Sequence, residues 1–229
     1  LKHYEIRCNK DSISFSYFNE VKNCILKRFV PFFKGKDIRN INTGLIRDFF
    51  DSLEPLEEAT KKIEKLSLKR QKNIMAMLEK LFKYAFDNED IQKIPKFPVI
   101  AVPEPRWDWI DEGTQEKIIN EIPEEHRPIF LFMFKQGVRP GEVRAVKWKD
   151  INWKLRTVIM CMAWDRTRLK EHTKNKTVGI IPLNDDVYSC LEKLKRKADK
   201  IELDGFIFTH NGIHYSHSTL LKLWYKARD

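Results

Sequence analysis

Two short segments carry side chains able to handle a phosphate group. In KQGVRPGEVRAVKWKDI (residues 135–151), Arg139 stands just before Pro140, a residue suited to the first turn of a helix. An arginine at such a loop-to-helix turn, behind a buried helix, can extend its guanidinium into a cleft. That planar fork binds two phosphate oxygens at once and stays charged at any working pH. Glu142 follows one helical turn later, where a carboxylate can orient the fork. The same spacing also describes an ordinary surface salt bridge beside a helix cap. The second segment is EHTKNKTVGIIPL (residues 171–183), where Lys174 and Lys176 lie near the tip of an expected β-hairpin, clustered with Arg166, Arg168 and Lys170. A lysine ammonium beside a scissile phosphate can hand a proton to the departing oxygen. Charged hairpin tips are equally a means by which sheet edges avoid aggregation. Taken separately, each segment is better explained as an ordinary solvated surface.

Other candidates are weaker. His210, His214 and His217 have the spacing H-x3-H-x2-H, but they fall at a turn and a helix start, with no cysteine beside them and no HExxH pattern, so no metal site is expected. The four cysteines (Cys8, Cys24, Cys161, Cys190) are scattered without a CxxC pair, the usage of free thiols in a reducing compartment. The formal charge is +10, and both halves of the chain share it. A balance of that kind suits a polyanionic partner, because each neutralised phosphate releases counterions. No apolar run is long enough to span a membrane, and residues 1–10 do not resemble a signal peptide, so a cytoplasmic protein is expected. The chain opens on Leu1 rather than Met, which suggests a piece trimmed at its N-terminal side.

The elements that must position these groups follow from apolar periodicity. Three amphipathic helices are expected in the first hundred residues. One follows Ser14 or Ser16 and carries Phe18, Val21, Ile25 and Phe29 at helical spacing. A second is capped by Thr43 and aligns Ile46, Phe49, Phe50 and Leu53. A third is capped by Ser67, carries the stripe Ile74, Leu78, Leu81 and Ala85, and exposes Lys69, Arg70 and Lys72 on its opening turn. The segments 33–43 and 54–66 between them read as loops or short helical turns. Pro95, Pro98, Pro103 and Pro105 then exclude a helix and predict an extended linker over 95–106. Beyond it, helices are expected after Thr114, from Pro128, at Pro140, at Asp185 and at His217. Strands are expected from Arg156, from Thr177 and in DGFIF (204–208), with a further strand and a turn at Asn175–Lys176 supplied by residues 165–176. The fold class is α+β: an all-α N-terminal domain, then a mainly helical domain with a small antiparallel sheet.

Together, the two phosphate-handling segments resemble the tyrosine recombinase (phage integrase) family. The first catalytic box of that family, TGxRxxE…LxWxDI, is similar to QGVRPGEVRAVKWKDI, including Trp148, Asp150 and Ile151. Its hairpin lysine, a TK step a few residues before PL, is similar to Thr173-Lys174 ahead of Pro182-Leu183. FIFTHNGIHYSHSTLLKLWYKA looks like the strand-and-helix segment before the family's second box, and the N-terminal helices look like its core-binding domain. The resemblance covers nearly the whole chain in the right order. It implies a core-binding domain over 1–94, a linker over 95–106 and the N-terminal part of a catalytic domain over 107–229.

The resemblance also implies a site-specific recombinase that cuts and rejoins double-stranded DNA at att-type sites through a 3′-phosphotyrosyl intermediate, as a homotetramer when intact, with no metal or other cofactor. Arg139 and Lys174 are the implied catalytic residues and Glu142 the support, with Lys69, Arg70, Lys72 and Lys176 as DNA contacts. The second box, HxxR, and the later nucleophilic tyrosine find no match. His126, His210, His214 and His217 lack the required arginine, and Tyr188, Tyr215 and Tyr225 precede the nucleophile's place. The expectation is a piece that binds DNA without cutting it; the alternative is an integrase-like protein that binds such sites and never cleaves.

Overall fold

A computed structural model describes residues 1–10, 12–55, 65–106, 108–165, 168–171, 178–198 and 200–229. The chain divides into two compact units, Leu1–Trp107 and Asp108–Asp229.

In the first unit the described residues form helices only. α1 (Lys2–Asn9) precedes α2 (Phe15–Cys24), a π-turn (Ile25–Phe29) and α3 (Val30–Phe33). Pro31 explains the widened turn, because it lacks the N–H that would close a regular one. A 3₁₀ turn (Ile38–Asn40) leads to α4 (Thr43–Asp51), and α5 (Leu68–Asp87) is the long helix on which the unit is built. Ser14 and Ser67 cap α2 and α5, accepting from the amides of Tyr17 and Arg70. α4 is capped by Asn42, whose Oδ1 accepts from Leu45 N at 3.0 Å, and not by Thr43. Either residue type caps well. With Asn42 in that place, the Thr43 hydroxyl accepts from Lys96 N at 3.2 Å and ties the proline-rich segment to α4.

The core of this unit is apolar and aromatic. Ile46 and Ile74 are fully buried, and Phe49 meets Phe29, Phe32 and Phe33 with ring centroids 5.1–5.6 Å apart. Such tilted and edge-on pairs add to the gain from burial. Residues 95–106 contain neither helix nor strand. Their first part nevertheless lies on the core: Phe97 meets Phe82 at 5.9 Å, and Ile100 is buried. α1 was not expected, because its two buried residues, Tyr4 and Cys8, are too few to show a period.

In the second unit, α6 (Glu112–Glu121) is capped by Asp111, with Thr114 N donating to its Oδ1 at 2.9 Å, rather than starting after Thr114. A 3₁₀ turn (Glu124–His126) leads into α7 (Arg127–Gln136), and α8 (Pro140–Val143) follows. After a second 3₁₀ turn (Trp148–Asp150) come β1 (Ile151–Asn152), β2 (Thr157–Met160), β3 (Ala163–Asp165), β4 (Arg168–Lys170) and β5 (Gly179–Pro182). α9 (Asp185–Lys197), the hairpin β6 (Thr209–His210) and β7 (Ile213–His214), and α10 (His217–Arg228) complete it. β1, β2 and β5 form an antiparallel sheet in that order, with Val158 opposite both Ile151 and Ile181; β3 and β4 pair separately. The fold is α+β, as expected.

DGFIF is not a strand. Phe206 makes one bridge to Lys147, while Ile207 N donates to Val146 O at 3.0 Å. The segment is held by its neighbours rather than by a sheet. The expected turn at Asn175–Lys176 lies outside the described residues, as do Arg166, Lys174 and Lys176.

Candidate active site

The Arg139 turn is built from its two flanking helices. α7 buries Ile129, Phe130 and Phe132 and ends on Gly137, whose φ of +62° is the left-handed conformation that closes a helix. Two residues on, Arg139 is extended and stands as the N-cap of α8, with Pro140 at its first position. An arginine side chain cannot accept the amide bonds a cap normally takes, and Glu142 serves instead. Its Oε2 accepts from Arg139 N at 3.0 Å and its Oε1 from Arg139 Nη1 at 2.8 Å. Glu142 is 8% exposed, whereas the Arg139 side chain is 58% exposed. One buried carboxylate thus fixes both the backbone and the side chain of Arg139. The rest of the fork remains in solvent, able to take a phosphate.

The residues that follow are structural. Trp148 is packed in the core, Asp150 Oδ2 accepts from Lys147 N at 2.8 Å, and Ile151 is buried where β1 starts. Burial pushes the Asp150 carboxyl above its usual range, opposed by the Lys147 amide.

Several polar groups at this site escaped the sequence reading. Arg144 is 1% exposed, a buried cation whose Nε donates to Tyr215 O at 2.5 Å. Its guanidinium lies 5.7 Å from the centre of the Trp164 ring, against which His214 stacks at 3.9 Å. Burial lowers the pKa of both Arg144 and His214. His126 Nδ1 is 2.8 Å from Tyr215 Oη, and His210 packs edge-on to His126 at 4.7 Å. Burial pushes the Tyr215 phenol up to about 12 and holds His126 below the usual histidine range, so both stay neutral at working pH. The only signal for Arg144 was its position inside the apolar run Val143-Arg144-Ala145-Val146.

The remaining candidates separate. His210, His214 and His217 do not converge: the first lies against His126, the second on Trp164, and the third at the exposed start of α10. Tyr188 packs against Arg156 and Trp153, and Tyr225 meets Arg228 on α10. On the opening turn of α5, Lys69 and Lys72 are exposed, while Arg70 pairs with Glu20 of α2.

Residues 108–229 match the phage integrase family model, and the chain belongs to that family. Over 228 residues it is 28% identical to the ICEBs1 integrase of Bacillus subtilis (strain 168), an alignment covering 95% of this chain. The chain spans only 58% of that relative's length. Among solved structures, the Tn1549 transposon integrase in complex with a circular intermediate DNA superposes with a TM-score of 0.70 at 16% identity, over 96% of this chain and 76% of that one. A lambda integrase tetramer bound to a Holliday junction gives 0.70 at 18% identity, over 99% and 63%. At these identities the likeness is one of fold.

Proposed function

We propose that this chain is the duplex-gripping and phosphate-binding part of a site-specific DNA recombinase that cuts and rejoins DNA. In the intact enzyme a tyrosine hydroxyl attacks a backbone phosphorus, the bond to the 5′-oxygen breaks, and a 3′-phosphotyrosyl ester forms. The ester keeps the phosphodiester's energy, so a 5′-hydroxyl can reverse the step and reseal the strand. Arg139 holds the non-bridging oxygens and stabilises the charge of the pentacoordinate transition state; a preorganised donor of this kind contributes about 3–4 kcal/mol. Glu142 fixes the fork from behind. Lys174 protonates the departing 5′-oxygen, and the reaction needs no metal.

Residues 1–94 are the core-binding domain, 95–106 the linker and 107–229 part of the catalytic domain. Lys69, Arg70, Lys72 and Lys176 contact the duplex. The intact enzyme acts in the cytoplasm as a homotetramer on att-type sites.

The observation that carries this reading is the Arg139–Glu142 arrangement, a cation fixed at its base and open at its tip. No tyrosine of this chain is assigned as the nucleophile, and Tyr215, buried and held neutral, is unsuited to attack. Residues 1–229 alone should therefore bind an att-type duplex with an affinity that falls steeply with salt. They should form no covalent adduct on a nicked suicide substrate. Trapping such an adduct, or binding indifferent to salt, would overturn the reading.

A further inference from the structure

The Arg139 turn is attached on both sides to strands far away in sequence. On the side before it, the Gln136 amide spans two backbone groups at the end of β5: its Nε2 donates to Pro182 O at 2.9 Å, and its Oε1 accepts from Asn184 N at 3.2 Å. Asn184 in turn caps α9. A primary amide satisfies a carbonyl and an N–H at once, as a further strand would, and here it joins the last residue of α7 to the β5–α9 junction.

On the side after it, Gly141 lies against β3. A Cβ at this position would stand 2.7 Å from the carbonyl oxygen of Trp164, a backbone atom that cannot swing aside. Trp164 is itself held by the His214 stack and by the guanidinium of buried Arg144. The turn therefore has little freedom to slide relative to either strand.

We propose that Gln136 and Gly141 are positioning residues for Arg139: the amide clasp on β5 and the close approach to β3 together set where the guanidinium meets the phosphate. Glu142 orients the fork within the turn, whereas these two residues locate the turn within the domain. The proposal rests on Arg139 being the phosphate-binding cation. Reactions of this type are sensitive to placement, and a displacement of about 1 Å can cost on the order of 100-fold in rate.

The test is single-turnover cleavage by the full-length protein at saturating enzyme, assayed well below each variant's melting temperature. Gln136→Ala should slow cleavage about tenfold, equivalent to ~1.4 kcal/mol of barrier, with duplex affinity unchanged. Gln136→Glu, which keeps the size but loses the donor to Pro182, should behave in the same way. Gly141→Ala should slow cleavage on the order of 100-fold. The decisive arm repeats Gln136→Ala in an Arg139→Lys background, where the charge remains but the fork is gone. There Gln136→Ala should cost less than about twofold, because residues acting as one unit are not additive. Cleavage within about twofold of wild type for Gln136→Ala, or an undiminished loss in the Arg139→Lys background, overturns the proposal. Wild-type cleavage by Arg139→Lys itself would instead overturn the assignment of Arg139.

Discussion

Arg139 and Arg70 each stand at the start of a helix, and each donates its backbone N–H to a side chain there. Arg139 N bonds Glu142, and Arg70 N bonds Ser67 Oγ at 3.3 Å. Their guanidinium groups are held differently. That of Arg139 is bonded to the same buried carboxylate that takes its N–H, so one fixed group sets the whole residue. That of Arg70 pairs with Glu20 of another helix, and the two side chains are 38% and 35% exposed. Partly solvated pairs of this kind are weak and readily exchanged. The first arrangement suits a transition state that must be met in one geometry. The second suits a phosphate backbone that can be gripped in several.

The contrast can be broken at its strongest point first. Glu142→Ala removes both acceptors from Arg139, and denaturant unfolding of residues 1–229 should show a loss of about 1–3 kcal/mol. Glu142→Gln retains an acceptor and should lose less. An unchanged unfolding profile for Glu142→Ala would mean that the turn is held without it.

Next in size, Lys69→Ala with Lys72→Ala should weaken duplex binding and reduce the salt slope by about 2, one per lost phosphate contact. Arg70→Ala should reduce it by less than a full contact, because the arginine must first leave Glu20. Equal slopes for Lys69→Ala and Arg70→Ala would remove that distinction.

The smallest effect is expected from acid. Burial holds His126 and His214 below the usual histidine range, so the folded chain resists protons that the unfolded chain takes up near pH 6.5. Their contribution to stability is therefore complete above about pH 6.5 and declines as pH falls through it. The first unit contains only the exposed His3. Between pH 7 and 5 the second unit should lose protection from hydrogen exchange before the first does, and His126→Gln should flatten that dependence. Loss in the first unit ahead of the second would contradict the role given to burial.

What could be read in advance was mostly local. Ser14 and Ser67 as caps, the stripe on α5, the buried α7 and the Arg139–Glu142 spacing are each set by residues within a single helix and its cap. What escaped depends on distant partners. Gln136 bonds residues 46 and 48 positions away, Arg144 one 71 away, and His126 one 89 away. At α4 the stronger cap by type, Asn42, takes the place expected of Thr43, and the Thr43 hydroxyl instead meets an amide 53 residues downstream. DGFIF had a strand's composition, but its Phe206 packs against Trp164 and its backbone bonds Val146 and Trp148. Lys174 and Lys176 lie outside the described residues, so Lys174 rests on its motif and Lys176 on its place in the basic cluster.

The division between a fixed arginine and an adjustable one is tested most directly by measuring cleavage and binding side by side for Arg139→Ala and Arg70→Ala in the full-length protein. With an att-type duplex and saturating enzyme, Arg139→Ala should slow single-turnover cleavage by about 10²–10³-fold while its duplex affinity stays near wild type. Arg70→Ala should cleave at close to the wild-type rate once bound, and bind more weakly. Wild-type cleavage by Arg139→Ala, or a rate loss at Arg70 as large as that at Arg139, would contradict the account.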